Sequence, residues 1–179
     1  EAFVGLQNYA AVFTERSMRV AFLNNLQWIV IGASMTILLG LAVAVLADRS
    51  NYDRLAKTAI FLPMAISMVS AAIIWNFIYE VKDVNDPQIG LLNAIVAGFG
   101  IQPKAWTALP WPYNNFFLII IVVWLQTGYA MTLFSAAIKG IPPEQLEASR
   151  VDGANEWQVF SRIMLPSIRG TLITVSTTV

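Results

Sequence analysis

The stretch "EQLEASRVDGANEWQVFSRIMLP", residues Glu144 to Pro166, is polar and sharply punctuated, yet the chain of 179 residues is 57% hydrophobic and 12% charged. It lies between two apolar segments of the kind that cross a lipid bilayer. The low charge and a mean hydropathy of +0.62 place the chain among membrane proteins. The polar stretch is therefore predicted to lie at one membrane surface.

This stretch encodes two short helices joined by one tight turn. Pro142 and Pro143 cannot continue the helix before them, but proline suits the first position of a new helix. Gly153 supplies a residue that can adopt the left-handed conformation and close that helix. We therefore expect the first helix to end at the turn around Gly153.

The second helix is predicted from its capping residues and its apolar spacing. Asn155, followed three residues later by Gln158, is a capping-box pattern. Apolar side chains then recur at three- and four-residue spacing and are expected to form one face that holds the first helix: Trp157, Phe160 and Ile163 or Met164. By spacing alone, the stretch is either an ordinary loop between spans or an interaction site.

Outward from this stretch, three uncharged runs are long enough to cross a hydrocarbon core of about 30 Å. They cover 26–47, 58–79 and 116–138, and a fourth is expected to begin within 170–179. Three such runs in one chain argue against buried helices of a soluble protein. Pro63 is expected to kink the second run or to delay its regular helix by a turn.

Basic residues near span ends predict the orientation, because they are retained on the cytoplasmic side. Three lie within 48–57 and four within 139–169, whereas 1–25 and 80–115 hold two each. The segments 48–57 and 139–169 are therefore predicted to be cytoplasmic loops, and the other two to be extracytoplasmic.

The extracytoplasmic loop 80–115 is expected to have two parts. Residues 88–100 predict a short amphipathic helix bounded by glycines, and three aromatic residues that suit the headgroup region follow it: Trp106, Trp111 and Tyr113. These aromatic side chains either anchor the next span or belong to a surface for a partner.

Several classes of function are excluded by composition. The chain has no cysteine and no histidine, which removes disulfides, thiolate or imidazole metal sites, and any Ser/His or Cys/His catalytic pair. No Asp or Glu lies within the three complete runs, which argues against a two-aspartate intramembrane enzyme. No P-loop pattern occurs, so the chain is not expected to hold ATP. Eleven basic and eleven acidic residues give no indication of nucleic-acid binding.

The polar stretch also reproduces a family pattern at fixed intervals. It resembles the cytoplasmic loop of the permease subunits of bacterial ABC importers, which reads E-A-A, three residues, Gly, nine residues, then I-x-L-P. The matching positions are Glu147, Ala148, Gly153, Ile163, Leu165 and Pro166. Ser149 replaces the usual third alanine by another small residue, and Asp152 and Ala154 flank the glycine as is typical of the family.

Other segments resemble the carbohydrate, maltose-type branch of that family. They are "FVGLQNYAAVF" at 3–13, "FLP" at 61–63, Trp75 and "GLLN" at 90–93. The resemblance implies an all-α, polytopic transmembrane helical bundle with the MetI-like permease core, located in the bacterial inner membrane. We expect the chain to be an internal fragment of such a subunit.

The resemblance also implies a role for the loop and a set of partners. The loop would form a coupling helix that inserts into a groove of a cytoplasmic ATPase, with Glu147 pairing a basic residue there. Ala148 and Ser149 would permit close packing, Gly153 would fix the angle of the returning helix, and Pro166 would mark the return to the membrane. Expected partners are a second permease subunit, two cytoplasmic ABC ATPase subunits that bind ATP and Mg, an extracytoplasmic solute-binding protein and membrane lipid, with no cofactor on this chain.

A sugar is the implied substrate, and polar residues of the spans are candidates to contact it. Asn76, Gln126 and Tyr129 can hydrogen-bond sugar hydroxyls, with Trp75 or Trp124 offering a stacking face. The same polar groups can instead bond neighbouring helices. A polyol or glycerol phosphate is the alternative cargo, and a membrane protein without a transport role is the less favoured reading.

Overall fold

The structure, a computed structural model, describes residues 5–48 and 53–179. Within these two ranges the chain is helical and contains no strand. Part of the predicted loop 48–57, including Arg49, and the first residues of the 3–13 segment lie outside the described residues. The helices are α1 Gln7–Thr14, α2 Arg16–Gln27, α3 Ser34–Asp48, α4 Asp53–Ala65, α5 Met68–Tyr79, α6 Leu91–Gly98, α7 Tyr113–Lys139, α8 Pro143–Val151, α9 Glu156–Val159, α10 Leu165–Ser167 and α11 Arg169–Thr178.

Helices α2 and α3 form one continuous helix. A π-helical turn at Trp28–Ala33 joins them, and the membrane-length helix Arg16–Ala47 has 32 residues. The apolar run predicted at 26–47 is the C-terminal part of this helix. Hydropathy identifies only the lipid-compatible part of a helix. It therefore did not predict that this helix begins at Arg16, in polar sequence.

Helices α4 and α5 meet at a sharp break. Their axes differ by 102°, so together they form either a broken span or a re-entrant loop. We expected a kink at Pro63, but this proline lies buried inside α4, and the break follows it at Ile66 and Ser67. The Ser67 hydroxyl accepts a hydrogen bond from the Ser70 N–H at 3.2 Å and caps α5. The run predicted at 58–79 is thus divided between two helices.

Helix α7, with 27 residues, is the second helix of membrane length, and glycines bring it against α3 and α4. A Cβ built on Gly40 of α3 would lie 2.6 Å from the Cβ of Ala130. A Cβ built on Gly128 of α7 would lie 2.6 Å from the carbonyl oxygen of Ile60. Small residues at helix contacts permit this close approach inside membranes.

The hydrophobic core lies toward the end of the bundle that carries the polar stretch. Helices α3 and α7 supply much of it, and the polar stretch and its flanks supply Ile141, Met164 and Ile168 to the same cluster. The remaining buried members are Leu41, Ala44, Ala130, Met131, Phe134, Ile138 and Val175. The loop and the spans therefore share one core.

The opposite end of the bundle is organised by Asn93 of α6, which is fully buried. Its amide donates to the carbonyl oxygens of Glu80 at 2.9 Å and Lys104 at 3.1 Å. Its oxygen accepts from the Lys104 N–H at 3.0 Å and from Trp106 Nε1 at 2.9 Å. The short helix expected within 88–100 is confirmed as α6, and Asn93 ties it to both flanks of the loop.

A second polar cluster joins α2 to the start of α7. The amide of Asn115 donates to Asn24 Oδ1 at 2.9 Å and to Gln27 Oε1 at 3.1 Å. Gln27 donates to the carbonyl oxygen of Pro112 at 3.2 Å, and Trp111 Nε1 donates to Asn24 Oδ1. The ring of Trp111 is thereby held against α2, while 45% of its surface is still exposed.

Candidate functional site

Helix α8 is closed by the turn that the glycine predicts. Gly153 has φ +86°, the left-handed region that favours glycine. Its N–H donates to the carbonyl oxygen of Arg150 at 3.1 Å, and the N–H of Ala154 donates to that of Ser149 at 3.0 Å. These two bonds make a Schellman motif, so the predicted helix end at Gly153 is confirmed.

The beginning of α9 is fixed by side chains on both sides of the turn. Asn155 Oδ1 accepts from the Gln158 N–H at 2.9 Å, and the Asn155 N–H donates to Gln158 Oε1 at 2.8 Å. The predicted capping box is therefore confirmed. Across the turn, Arg150 Nε donates to Glu156 Oε1 at 2.9 Å. This hydrogen bond, together with the charge of Glu156, raises the pKa of the Arg150 guanidinium above its ordinary value.

The buried face after α9 differs from the predicted aromatic face. A π-helical turn covers Phe160–Met164, and its wider spacing places Val159 and Met164, five residues apart, in the interior. The exposed fraction of Trp157 is 71%, although its ring centroid lies 5.6 Å from that of Phe160. The expectation that Trp157 holds α8 is wrong, because the α-helical spacing on which it rested does not apply across a π turn.

One face of α8 points away from the bundle. Glu144, Glu147 and Val151 follow each other at intervals of three and four residues, Ala148 lies four residues after Glu144, and all four are exposed. Val151 is 87% exposed, which is unusual for an apolar residue in a polar loop. Sequence reasoning missed Val151, although its spacing from Glu147 and Ala148 was the available signal.

Ser149 lies on the other side of α8. It is buried, and its hydroxyl donates to the carbonyl oxygen of Leu146 at 2.7 Å. We expected both Ala148 and Ser149 to permit close packing in the ATPase groove, but in the structure only Ala148 is exposed. A small side chain at 149 therefore serves contact with the rest of this chain.

The other motif residues lie at graded depths. Asp152, Gly153 and Pro166 are exposed, whereas Ala154, Ile163 and Leu165 are half-buried. Leu165 packs against the core cluster of α3 and α7. The motif thus spans from the exposed face of α8 to the shared core.

The three candidates for substrate contact are not assembled into one site. Asn76 is exposed on α5, whereas Gln126 and Tyr129 are half-buried on α7. Gln126 lines a small cavity of about 130 Å³ beside Ile66, at the break between α4 and α5. Among the described residues, no hydrogen bond links Asn76 to Gln126 or Tyr129.

An aromatic wall joins α5 to α7. The ring centroids of Trp75 and Trp124 lie 5.7 Å apart, and those of Tyr79 and Phe117 lie 5.8 Å apart. Both pairs meet edge to face, a favoured geometry for aromatic rings. The indole N–H of Trp75 is buried without an acceptor among the described residues.

Comparison with known proteins gives consistent matches over nearly the whole chain. Residues 36–179 match the family described as "Binding-protein-dependent transport system inner membrane component". The chain is 52% identical to the osmoprotective compounds uptake permease protein of Synechocystis sp. over 98% of its length and 63% of that protein. It is 49% identical to the alpha-glucoside transport system permease protein of Rhizobium meliloti, over 99% of its length and 52% of that protein.

Among solved structures, the chain is similar to one chain of a bacterial ABC transporter involved in the import of the acidic polysaccharide alginate. The TM-score is 0.74 at 25% identity, covering 98% of this chain and 60% of the other. The chain therefore spans between about half and two thirds of the length of these relatives. The all-α class and the helical bundle expected from sequence are confirmed.

Proposed function

This chain belongs to the family of binding-protein-dependent transport system inner membrane components, and from that premise we propose that it is the translocating part of an ATP-driven importer for sugars or glycosides. ATP and Mg would be bound by two partner ATPase subunits. A second permease chain would complete the pathway. The curated relatives support this proposal, since one of them is the permease of an alpha-glucoside transport system.

One observation supports the coupling role above the others. Ile141, Met164 and Ile168, which flank or belong to the polar stretch, lie in one core with α3 and α7, while the outward face of α8 is exposed. A displacement of α8 by an ATPase therefore passes to the spans through packed side chains, because a close-packed interior transmits strain.

Specific residues of α8 have separate parts in this coupling. Glu147 would pair with a basic residue of the ATPase, and Ala148 and Val151 would pack in its groove. The Schellman turn at Gly153 and the Arg150 to Glu156 ion pair hold α8 at a fixed angle to the returning chain. The ion pair is exposed at both partners and contributes little stability, so the Schellman turn is the main constraint on this angle.

Substrate contact is proposed near the break between α4 and α5. Broken helices line binding sites in many transporters, because freed backbone groups can bond a polar solute. Gln126 lies beside this break, and Asn76 and Tyr129 are kept as further candidates. The loop 80–115, whose fold Asn93 fixes, would present the surface for an extracytoplasmic solute-binding protein.

The test uses the full-length subunit, tagged and extracted in mild detergent. An ATPase with a P-loop should copurify with it and be lost when the order of residues 147–153 is scrambled. A matched control scrambles residues 82–87 of the outer loop, which should leave the ATPase bound. Retention of the ATPase by the scrambled 147–153 variant would overturn the coupling role.

The substrate class needs its own measurement, because the relatives differ in cargo. One relative takes up osmoprotective compounds and another belongs to an sn-glycerol-3-phosphate transport system. ATPase activity of the reconstituted complex should rise with an alpha-glucoside and its binding protein. Stimulation by glycerol phosphate alone would contradict the sugar assignment and establish the alternative cargo.

A further inference from the structure

A cleft between α4 and α7 lies apart from the break between α4 and α5 and has features of a binding site. Its volume is about 520 Å³, and its polar lining consists of Lys57, Thr58, Thr132, Ser135 and Lys139. Lys139 is the last residue of α7, directly before the loop that leads to α8. The cleft therefore lies at the end of the bundle that is predicted to face the cytoplasm.

Polarity within the cleft falls off along both helices. On α7, Lys139, Ser135 and Met131 follow each other at four-residue intervals, from ammonium through hydroxyl to thioether. Thr132 also lines the cleft beside Met131, but its hydroxyl donates to the carbonyl oxygen of Gly128 within the helix. On α4, Lys57 is followed four residues later by Phe61. Each interval corresponds to about 6 Å along a helix. The cleft thus has a cationic rim and an apolar wall deeper toward the bilayer centre.

The cationic rim is built into the fold. The side chain of Lys57 is only 20% exposed, and its ammonium donates to Ser135 Oγ at 2.8 Å. Asp53 Oδ2 lies 4.0 Å from the Lys57 ammonium and 3.9 Å from the Lys139 ammonium. One carboxylate oxygen therefore bridges α4 to α7 and holds the two cations on the same side of the cleft.

The rim has an excess of positive charge. Among the described side chains at the rim, Lys57 and Lys139 carry two positive charges and Asp53, which lies between them, carries one negative charge. Basic side chains at the cytoplasmic end of spans attract anionic headgroups. The chemistry that fits is a phosphate group bonded by ammonium and hydroxyl donors.

We propose that this cleft binds the headgroup of an anionic phospholipid of the cytoplasmic leaflet. Its phosphate would lie between Lys57, Ser135 and Lys139, and an acyl chain would run along Phe61 and Met131. A soluble phosphate would use only the rim, whereas a lipid uses the rim and the apolar wall together. The gradient of polarity toward the bilayer centre therefore favours the lipid.

The test measures binding of phosphatidylglycerol to the full-length subunit in detergent by native mass spectrometry, with phosphatidylcholine as the neutral comparison. The variant Lys57→Gln/Lys139→Gln should weaken phosphatidylglycerol binding about 30-fold, from about 1 kcal/mol for each cation lost. The control Arg162→Gln/Arg169→Gln removes two exposed cations outside the cleft and should bind as the wild type does. Equal losses in the two variants would overturn the site.

Two further experiments test whether the loss of binding is due to charge and whether the ligand is a lipid or a soluble anion. Lys57→Arg/Lys139→Arg keeps both charges, so it should bind within about threefold of the wild type; a loss like that of the glutamine variant would contradict a charge-based site. Soluble glycerol phosphate should not displace the lipid, and displacement would assign the cleft to a soluble anion. Binding is scored on the subunit whether or not an ATPase accompanies it, so failure here is distinct from failure of the importer assignment.

Discussion

Gly153 is required for its backbone conformation and not for lack of space around it. Its φ is +86°, yet a Cβ built there would meet nothing within 4 Å. Gly153→Val should therefore cost about 1 to 2 kcal/mol through backbone strain alone. We expect this variant to insert normally but to lose most substrate-stimulated ATPase activity and uptake. Undiminished uptake would show that Gly153 is not the pivot of the coupling turn.

A matched substitution checks the physical reason. Asparagine tolerates the left-handed region better than valine does, so Gly153→Asn should retain most of the uptake. If Gly153→Asn fails as Gly153→Val does, the glycine is needed for space against a partner, since the chain itself leaves the position open.

Asn93 is required because its side chain hydrogen-bonds several backbone and side-chain groups of the outer loop at once. Asn93→Ala removes four hydrogen bonds and leaves the indole N–H of Trp106 without its acceptor. The outer loop should lose about 3 kcal/mol of local stability. Limited proteolysis within 80–105 should accelerate, whereas Asn25→Ala, which removes one exposed bond, should leave the cleavage rate unchanged. Equal cleavage rates would contradict the organising role of Asn93.

Trp75 offers a test at the aromatic wall. Its buried indole N–H has no acceptor among the described residues, and such a donor is costly. Trp75→Phe keeps an aromatic ring against Trp124 while removing that donor. We expect the free energy of unfolding to stay the same or to rise by up to about 1 kcal/mol. The thermal midpoint of the purified subunit should therefore not fall. A marked fall would contradict the cost assigned to the unpaired N–H.

At the scale of helices, the close contact of α4 with α7 depends on Gly128. A Cβ there would lie 2.6 Å from the carbonyl oxygen of Ile60, which is backbone and cannot rotate away. Gly128→Ala should destabilise the subunit by about 1 to 3 kcal/mol. Gly170→Ala in α11 meets open space and should be neutral or stabilising. Detergent thermal melts would show the difference, and equal midpoints would contradict the packing argument.

The sequence predicts the helices of this fold better than it predicts their breaks. The apolar runs lie in the continuous helix that includes α2 and α3, in α4 and α5 on both sides of their break, and in α7, because lipid-facing segments need continuous hydropathy. The break at Ser67 was not predicted, since Pro63 was the stronger local signal and a serine cap resembles any serine in a span. Helix α5 packs on α7 through Trp75 and Tyr79, and no local pattern encodes such a contact.

The π-helical turn at Phe160–Met164 marks a second limit. Gly153 and the Asn155 to Gln158 capping box were predicted correctly, because each follows from local backbone chemistry. Met164 is buried as one of the two predicted alternatives, but its buried partner Val159 was missed, because an inserted residue changes the spacing from four to five. Patterns read at 3.6 residues per turn cannot show such a change.

For the whole molecule, the orientation inferred from Lys and Arg remains a prediction that the chain itself makes easy to test. These 179 residues contain no cysteine, so single cysteines can be introduced at exposed sites. Val151→Cys, at a site 87% exposed, should react with an impermeant thiol reagent only from the cytoplasmic side. Val84→Cys, at a site 67% exposed, should react only from outside. The reverse pattern would invert the topology and remove the basis of the coupling role.

The shared core also sets how fast the loop can move. Isolated surface loops fluctuate within nanoseconds to microseconds, whereas collective rearrangements of packed helices take microseconds to milliseconds. Leu146 of α8 packs against the core that Ile141 and Met164 share with α3 and α7, so α8 cannot shift alone at the faster rate. Relaxation dispersion at Val151 should therefore give the same exchange rate as probes in the spans. One collective motion of the loop and the spans would then limit the rate of turnover.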